Sequence, residues 1–196
     1  MPAKNARKIL IEGRYYHVYN RGVAKQPIFL DAQDYQVFLR FLKEYLLPLE
    51  HPDLQTLKKL TPRRTPINCS QNVELLAYCL MSNHFHLLLK NLAKRGIEKF
   101  IRAFGINYSM YFNKKYDRVG PLYQGVYKAV AIESDEQFIY ISKYIHLNPF
   151  ELLARVEPLH KYPYSSYQNY LGERHQDWVH PNEILSFFSK KFPSFS

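Results

Sequence analysis

The sequence has few cysteines, no long apolar run and comparatively little negative charge. Its two cysteines, Cys69 and Cys79, cannot cross-link a chain of 196 residues, and their spacing does not fit a zinc-binding pair. No stretch of 18 consecutive apolar residues occurs, so we expect no membrane-spanning helix. The first ten residues, MPAKNARKIL, lack the apolar segment of a secretory signal. We therefore expect a protein of a reduced, cytoplasmic compartment.

Positive charge is in excess, with 27 Lys and Arg against 17 Asp and Glu and a net charge of +10. Apolar residues at 46% and aromatic residues at 16% exclude a disordered chain and are sufficient for a hydrophobic core. A basic, aromatic-rich domain typically binds a polyanion such as nucleic acid, although the charge could serve solubility alone. Basic residues concentrate in 1–25 and in the aromatic-rich segment 94–118, a pattern that favours single-stranded nucleic acid.

Hydrophobic periodicity and turn residues predict seven main elements. The predicted strands are 14–20, 73–80, 84–90 and 122–132, and the predicted helices are 32–47, 96–114 and 135–147. This β-α-β-β-α-β-α order predicts an α+β, ferredoxin-like fold, an antiparallel sheet with helices packed on one face. We expect one domain over 1–150, with a basic, proline-rich insertion at 48–72 that contains one short helix near 54–60. Residues 151–196 are predicted to form a C-terminal extension of helices and loops.

Two pairs of polar residues are candidates for chemistry. His84 and His86 are two residues apart in a predicted strand, so both imidazoles project from one face and could ligate a divalent cation. Tyr144 and Asn148 are one turn apart on the last predicted helix, where a nucleophilic hydroxyl and a ligating amide oxygen would lie side by side. Each pair also has a purely structural interpretation, because the chain contains eight histidines and 17 tyrosines.

Four short segments, in this order, resemble the REP-associated tyrosine transposases, relatives of the small insertion-sequence single-tyrosine transposases of the HUH nuclease superfamily. The segments are Tyr16–Gly22 (YHVYNRG), Met81–Leu88 (MSNHFHLL), Leu122–Lys128 (LYQGVYK) and Tyr144–Pro149 (YIHLNP). A later stretch, YPYSSYQNYLG at 162–172, resembles the C-terminal region of the same family. The resemblance covers nearly the whole chain outside 48–72.

This resemblance implies a ferredoxin-like fold and the metal-dependent cleavage and rejoining of single-stranded DNA through a 5′-phosphotyrosine. It implies that His84 and His86 are ligands of Mg²⁺ or Mn²⁺ and that Tyr144 is the nucleophile. It also supports Asn148 as a third ligand, in a region where the insertion-sequence relatives more often have Gln. The insertion at 48–72 is the largest departure from the family and leaves DNA specificity and assembly open.

The expected partner is single-stranded DNA that forms a hairpin, bound by a monomer or a homodimer. We expect DNA contacts from Arg14, Asn20, Arg21, Lys94, Arg95, Lys99, Arg102 and Lys128. One alternative is a non-catalytic or domesticated protein that binds a DNA hairpin on the same scaffold. A second alternative is a replication-initiator nuclease of the same superfamily, which is disfavoured because no helicase domain follows in this sequence.

Overall fold

A four-stranded antiparallel sheet lies at the centre of the protein in a computed structural model, which describes residues 9–60, 67–151 and 157–191. The strands are β1 (Tyr15–Arg21), β2 (Val73–Met81), β3 (His84–Asn91) and β4 (Lys128–Ala131). Their spatial order is β2-β3-β1-β4, and every neighbouring pair is antiparallel. The predicted α+β, ferredoxin-like class and the predicted order of the main elements are confirmed.

The strand β4 is much shorter than the predicted strand at 122–132. Only the last part of the predicted segment 122–132 pairs with β1, from the Tyr19–Lys128 pair to the Tyr16–Ala131 pair. The preceding residues follow Gly120 and Pro121 and contact β1 through isolated backbone bonds, such as Gln124 N–H to the Arg21 carbonyl. The prediction was wrong here because an apolar, β-prone segment can run beside a strand without continuing its regular ladder.

The helices are α1 (Ala32–Leu46), α2 (Pro52–Leu60), α3 (Gly96–Lys115), α4 (Asp135–Leu147), α5 (Tyr167–Tyr170) and α6 (Asn182–Lys191). Helices α1 and α3 pack on the sheet surface that carries Tyr16, Val18 and Phe85, which we call the aromatic face. Helices α4 and α6 pack on the opposite surface through Phe138, Ile145 and Ile184. This surface carries His17, His84 and His86, and we call it the histidine face.

The prediction that the helices pack on one face is therefore corrected, because helices cover both faces. The physical reason lies in β2, whose sequence VELLAYCLM is apolar almost without interruption. A strand of this kind buries side chains on both faces and requires cover on each side. In β3, Leu87 and Leu89 belong to the core of the aromatic face, whereas Leu88 belongs to the core of the histidine face.

A buried carboxylate joins α1 to α3. Asp31 caps α1 by accepting a hydrogen bond from the Asp34 N–H, as predicted for a helix beginning at residue 32. The Asp34 side chain is fully buried and accepts hydrogen bonds from Leu30 N–H, Lys115 Nζ and the hydroxyls of Tyr111 and Tyr116. Burial alone would raise the pKa of Asp34, but these donors outweigh it and hold that pKa below its usual value.

The predicted insertion at 48–72 is partly built into the core. Its predicted short helix is confirmed as α2, and Leu54 on that helix is buried. Cys69 is also buried, and its N–H donates to the Tyr45 carbonyl at the end of α1. Residues 61–66, with the remaining predicted basic positions Arg63 and Arg64, lie outside the described residues.

The C-terminal segment covers the outer edge of β2. Leu80 N–H donates to the Tyr164 carbonyl, Ser166 N–H donates to the Tyr78 carbonyl, and the Trp178 ring stacks on Tyr78. Pairing of this kind removes an exposed strand edge that could otherwise recruit another chain. Nothing in these contacts fixes a domain boundary at residue 150, which remains a prediction. Within 9–60, 67–151 and 157–191, no helix is long and apolar enough to cross a membrane.

Candidate active site

His84, His86 and Tyr144 meet on the histidine face, at the end of the sheet where β3 begins. The ring centroids of His84 and His86 are 4.9 Å apart, and the Tyr144 ring lies edge-on to His86 at 5.5 Å. The alternation of β3 places both imidazoles on one face, and the Ser134 cap sets where α4 begins and therefore where Tyr144 falls. Tyr144 is 40% exposed, so part of the residue is accessible from solvent.

Asn83 determines the protonation of His84. Its amide nitrogen donates to the Lys25 carbonyl at 3.1 Å, so its amide oxygen faces His84 Nδ1 at 2.6 Å. An amide oxygen only accepts hydrogen bonds, so Nδ1 of His84 carries the proton. The lone pair of His84 then resides on Nε2, the nitrogen available to a cation.

His86 is held by a residue to which the sequence analysis gave no role, His17 on β1. The Nε2 atom of His17 lies 2.8 Å from Nδ1 of His86, and the two rings are stacked at 5.0 Å. The other nitrogen of His86, Nε2, is buried and has no hydrogen-bond partner in the described part of the chain. A buried polar atom without a partner is costly, and a bound cation would provide one. The residues present therefore fit a metal ligand at this position.

All three histidines are neutral near pH 7. Burial lowers the pKa of His17 to about 4. Burial, and then the charges of His17, His84 and Arg21, place the pKa of His86 far below its usual value. The pKa of His84 is lowered by burial and by Arg21, against an opposing hydrogen bond with Asn148. Neutral imidazole is the form that binds a metal ion, so no proton has to be removed first.

Asn148 lies one turn after Tyr144 and beside His84. Its amide nitrogen donates to the Tyr144 carbonyl at 2.8 Å, and its side chain also reaches His84. No group of three or more His, Cys, Asp or Glu side chains that could hold a metal occurs in the three described ranges. The available donor set is therefore two imidazoles and one amide oxygen, a set without a carboxylate.

Three of the predicted DNA-binding residues lie at this end of the sheet. Arg21 ends β1 opposite His84 and is exposed, and its charge reaches both His84 and His86. Lys128 Nζ lies 5.8 Å from the Tyr19 ring, which is itself 5.7 Å from His86. The third residue, Asn20, donates to the Gly125 carbonyl. We call Asn20, Arg21 and Lys128 the near group.

The other five predicted residues lie along α3 or at the opposite end of the sheet, and we call them the far group, although Arg102 lines a pocket that Asn20 also lines. Arg14 precedes β1 at the end of the sheet opposite His84, where its carbonyl accepts from Asn91 N–H. The seven residue steps of β3 from His84 to Asn91 span about 23 Å. The remaining members line a groove of about 620 Å³ along the first turns of α3: Lys94, Arg95, Lys99 and Arg102.

The aromatic residues of α3 do not form the exposed surface that the sequence suggested for 94–118. Phe100, Phe104, Tyr108 and Phe112 are all buried against the aromatic face. Their four-residue spacing places them on one stripe of the helix, which turns towards the sheet. These buried rings cannot stack on unpaired bases, so that expectation is wrong for them. Lys115 and Arg118 are partly buried, whereas five basic residues of the segment are exposed: Lys94, Arg95, Lys99, Arg102 and Lys114.

Comparisons with known proteins find similarity to transposases. The family described as "Transposase IS200 like" matches residues 54–148, a range that includes His84, His86, Tyr144 and Asn148. A REP-associated tyrosine transposase bound to a REP hairpin has a similar structure, with a TM-score of 0.58, 14% identity, and coverage of 90% of this chain and 92% of that chain. A candidate transposase from Deinococcus radiodurans R1 has a TM-score of 0.40 and 17% identity, covering 72% of this chain and 95% of that chain. No curated protein matches the sequence significantly. The sequence resemblance to this group of transposases is confirmed.

Proposed function

We propose, from the match of residues 54–148 to the IS200-like transposase family, that this chain cleaves and rejoins single-stranded DNA with Tyr144 as the nucleophile. One observation carries the proposal: the accessible Tyr144 ring lies edge-on to His86, whose buried Nε2 has no partner in the described residues. The candidate nucleophile and both histidines belong to one copy of the chain. A monomer would therefore supply both the proposed nucleophile and the two proposed histidine ligands.

In the proposed reaction, the hydroxyl oxygen of Tyr144 attacks the phosphorus of a phosphodiester. The bond from phosphorus to the 3′-oxygen breaks, the 3′-oxygen gains a proton, and the tyrosine oxygen, having lost its proton, becomes bonded to the 5′-phosphate. Attack on this phosphotyrosine by a 3′-hydroxyl reverses the step and rejoins DNA. Because each step exchanges one phosphoester for another, the cycle requires no nucleotide cofactor.

His84, His86 and Asn148 would hold a divalent cation, Mg²⁺ or Mn²⁺, through two imidazole Nε2 atoms and an amide oxygen. When bound, such a cation polarises the phosphate and neutralises charge that develops on it. The protein supplies the rest of the arrangement. Asn83 keeps the lone pair of His84 on Nε2, burial keeps both imidazoles neutral, and α4 presents Tyr144 beside them.

We propose that the DNA contacts divide between the two basic groups. The near group would contact the strand that is cleaved, because Arg21 and Lys128 lie around the histidines. The far group would contact flanking DNA, which we propose to be a hairpin, as in the REP-hairpin complex of the similar structure. A role on DNA would place the protein in the cytoplasm and, when bound, at the nucleoid.

The direct test is incubation with a labelled hairpin that has a single-stranded flank, in the presence of Mn²⁺, followed by a denaturing gel. We expect a covalent protein–DNA adduct that is lost in EDTA and in His84→Ala or His86→Ala. A perfect duplex of the same sequence should give no adduct. His175→Ala, which removes a strongly exposed histidine far along the chain, should retain it.

Two outcomes would contradict the proposal in different ways. Adduct formation in EDTA would refute the role of the cation while keeping the nucleophile. Tight hairpin binding with no adduct under any metal condition would favour the alternative of a non-catalytic DNA-hairpin-binding protein.

A further inference from the structure

A buried contact joins His17 to His86, one of the two histidines of the candidate site. One proton lies between Nε2 of His17 and Nδ1 of His86, which are 2.8 Å apart. His17 sits on the inner strand β1, paired with Leu88 on one side and Val130 on the other. Both histidines are buried, so the proton arrangement is set by the protein rather than by solvent.

Two arrangements of that proton are possible, and they have opposite consequences. If His17 donates, a neutral His86 carries its own proton on Nε2, where the described chain offers no acceptor. If His86 donates, its Nε2 holds a lone pair instead. Only this second arrangement allows a cation to satisfy the buried Nε2 atom.

The surroundings of His17 are compatible with the second arrangement. Neutral His17 must then carry its proton on Nδ1, and this atom is not among the buried side-chain atoms that lack a partner. A proton on Nδ1 therefore does not create a fully buried donor without a partner on His17. Contacts with the rings of Tyr19, at 4.9 Å, and Tyr144, at 5.9 Å, help to keep the imidazole of His17 in place.

We infer that His17 is a positioning residue, which accepts the Nδ1 proton of His86 and directs the His86 Nε2 lone pair into the cation site. This inference rests on the proposed function only in that the site binds a divalent cation. Histidines that bind metals commonly donate their second nitrogen to a carboxylate, a carbonyl or water, which fixes the tautomer. In this chain an imidazole takes the place of that acceptor.

The first test reads the tautomer directly and requires no metal. Nitrogen-15 NMR of the full chain in EDTA distinguishes a histidine protonated at Nδ1 from one protonated at Nε2. We expect His86 to be protonated at Nδ1 in the unsubstituted protein, and to lose this preference in His17→Phe, which keeps the ring but has no acceptor. His17→Gln should restore it, because an amide oxygen can accept the same proton. Protonation of His86 at Nε2 in the unsubstituted protein would overturn the inference, whether or not any variant folds.

The second test measures Mn²⁺ binding, without DNA, by electron paramagnetic resonance. His17→Phe should bind Mn²⁺ about 10–100-fold more weakly, and His17→Gln should recover part of the loss. His146→Gln is the matched control, because His146 is also buried but bonds to Ser166 Oγ at 2.9 Å. It should bind Mn²⁺ as the unsubstituted protein does, and thermal unfolding in EDTA verifies that each variant is folded.

The possible failures are distinguishable. Mn²⁺ binding that is lost in His84→Ala but unchanged in His17→Phe would overturn the inference and leave the proposed function intact. Mn²⁺ binding that is insensitive to His84→Ala would contradict the proposed metal site, and the NMR experiment would still decide the role of His17.

Discussion

Removal of positive charge near the histidines should weaken DNA binding differently from its removal along α3. Two double variants are informative. The near-group variant carries Arg21→Gln and Lys128→Gln, and the far-group variant carries Lys94→Gln and Lys99→Gln. Each double variant removes two exposed cations, so the change in net charge is the same. The two ends of β3, His84 beside the near group and Asn91 close to Lys94, are about 23 Å apart, so we expect a short DNA strand bound at the histidines to contact the near group and not Lys94 or Lys99.

The magnitude follows from the release of counterions. Each lost phosphate contact lowers the salt dependence of single-strand binding by about 0.7 in the slope of log affinity against log salt. Two contacts give about 1.4, so a fourfold increase in salt should weaken the unsubstituted protein about sevenfold more than the near-group variant. A single strand of about four nucleotides that contains the cleavage site is the substrate for this comparison.

The assay is equilibrium binding by fluorescence anisotropy at several salt concentrations, with the short strand and with a hairpin that carries the same strand. The near-group variant should bind both DNAs more weakly and with a smaller dependence of affinity on salt. The far-group variant should show both changes for the hairpin alone. If the far-group variant weakened binding of the short strand as much as the near-group variant does, the division of the DNA surface into two groups would be refuted.

Two further predictions concern one ligand and one buried carboxylate. Asn148→Ala should retain part of the cleavage activity and regain more as the Mn²⁺ concentration is raised, because the loss of one donor weakens the metal site without removing it. The cleavage rate measured against Mn²⁺ concentration tests this prediction. A loss of activity that no Mn²⁺ concentration relieves would contradict it. Asp34→Ala should lower the free energy of unfolding by about 3 kcal/mol, because it breaks a buried ion pair and leaves the donors to Asp34 without an acceptor. Urea denaturation measures this loss, and Asp177→Ala, at an exposed carboxylate, is the control. Because the folded-state pKa of Asp34 lies below the value of about 3.9 in the unfolded chain, its contribution is present above that pH and is lost as pH falls through the folded pKa. Asp34→Ala should therefore lose less stability than the unsubstituted protein as the pH falls below about 4, and an equally steep acid loss would contradict this assignment.

The features that could be predicted from sequence are those that depend on local spacing. The two-residue period of a strand placed His84 and His86 on one face, and the helical period placed Asn148 one turn after Tyr144. The cap at Asp31 likewise fixed the first residue of α1. Each of these relations involves residues no more than four positions apart.

The features that could not be predicted depend on pairing between distant segments. His17 and His86 are 69 residues apart, and only the antiparallel register of β1 with β3 brings their nitrogens into contact. The continuous apolar run of β2 indicates two covered faces, but it does not show which distant segments supply the second cover, here α4 and α6. For α3, basic and aromatic residues alternate in the sequence, but the helix separates them onto opposite sides.

The identity of the nucleophile is the central claim, and the site of covalent attachment tests it most directly. Protein incubated with single-stranded hairpin DNA and Mn²⁺ is digested, and the DNA-linked peptide is sequenced by mass spectrometry. The control for Tyr144→Phe is Tyr140→Phe, because Tyr140 is one turn earlier on α4, 64% exposed, and stacked with Tyr144 at 6.5 Å. We predict that the DNA of the unsubstituted protein is attached at Tyr144. Tyr144→Phe should form no adduct but should keep its DNA affinity within a few-fold of the unsubstituted protein, and Tyr140→Phe should form the adduct normally. Attachment at Tyr140, or an adduct that persists in Tyr144→Phe, would contradict the account.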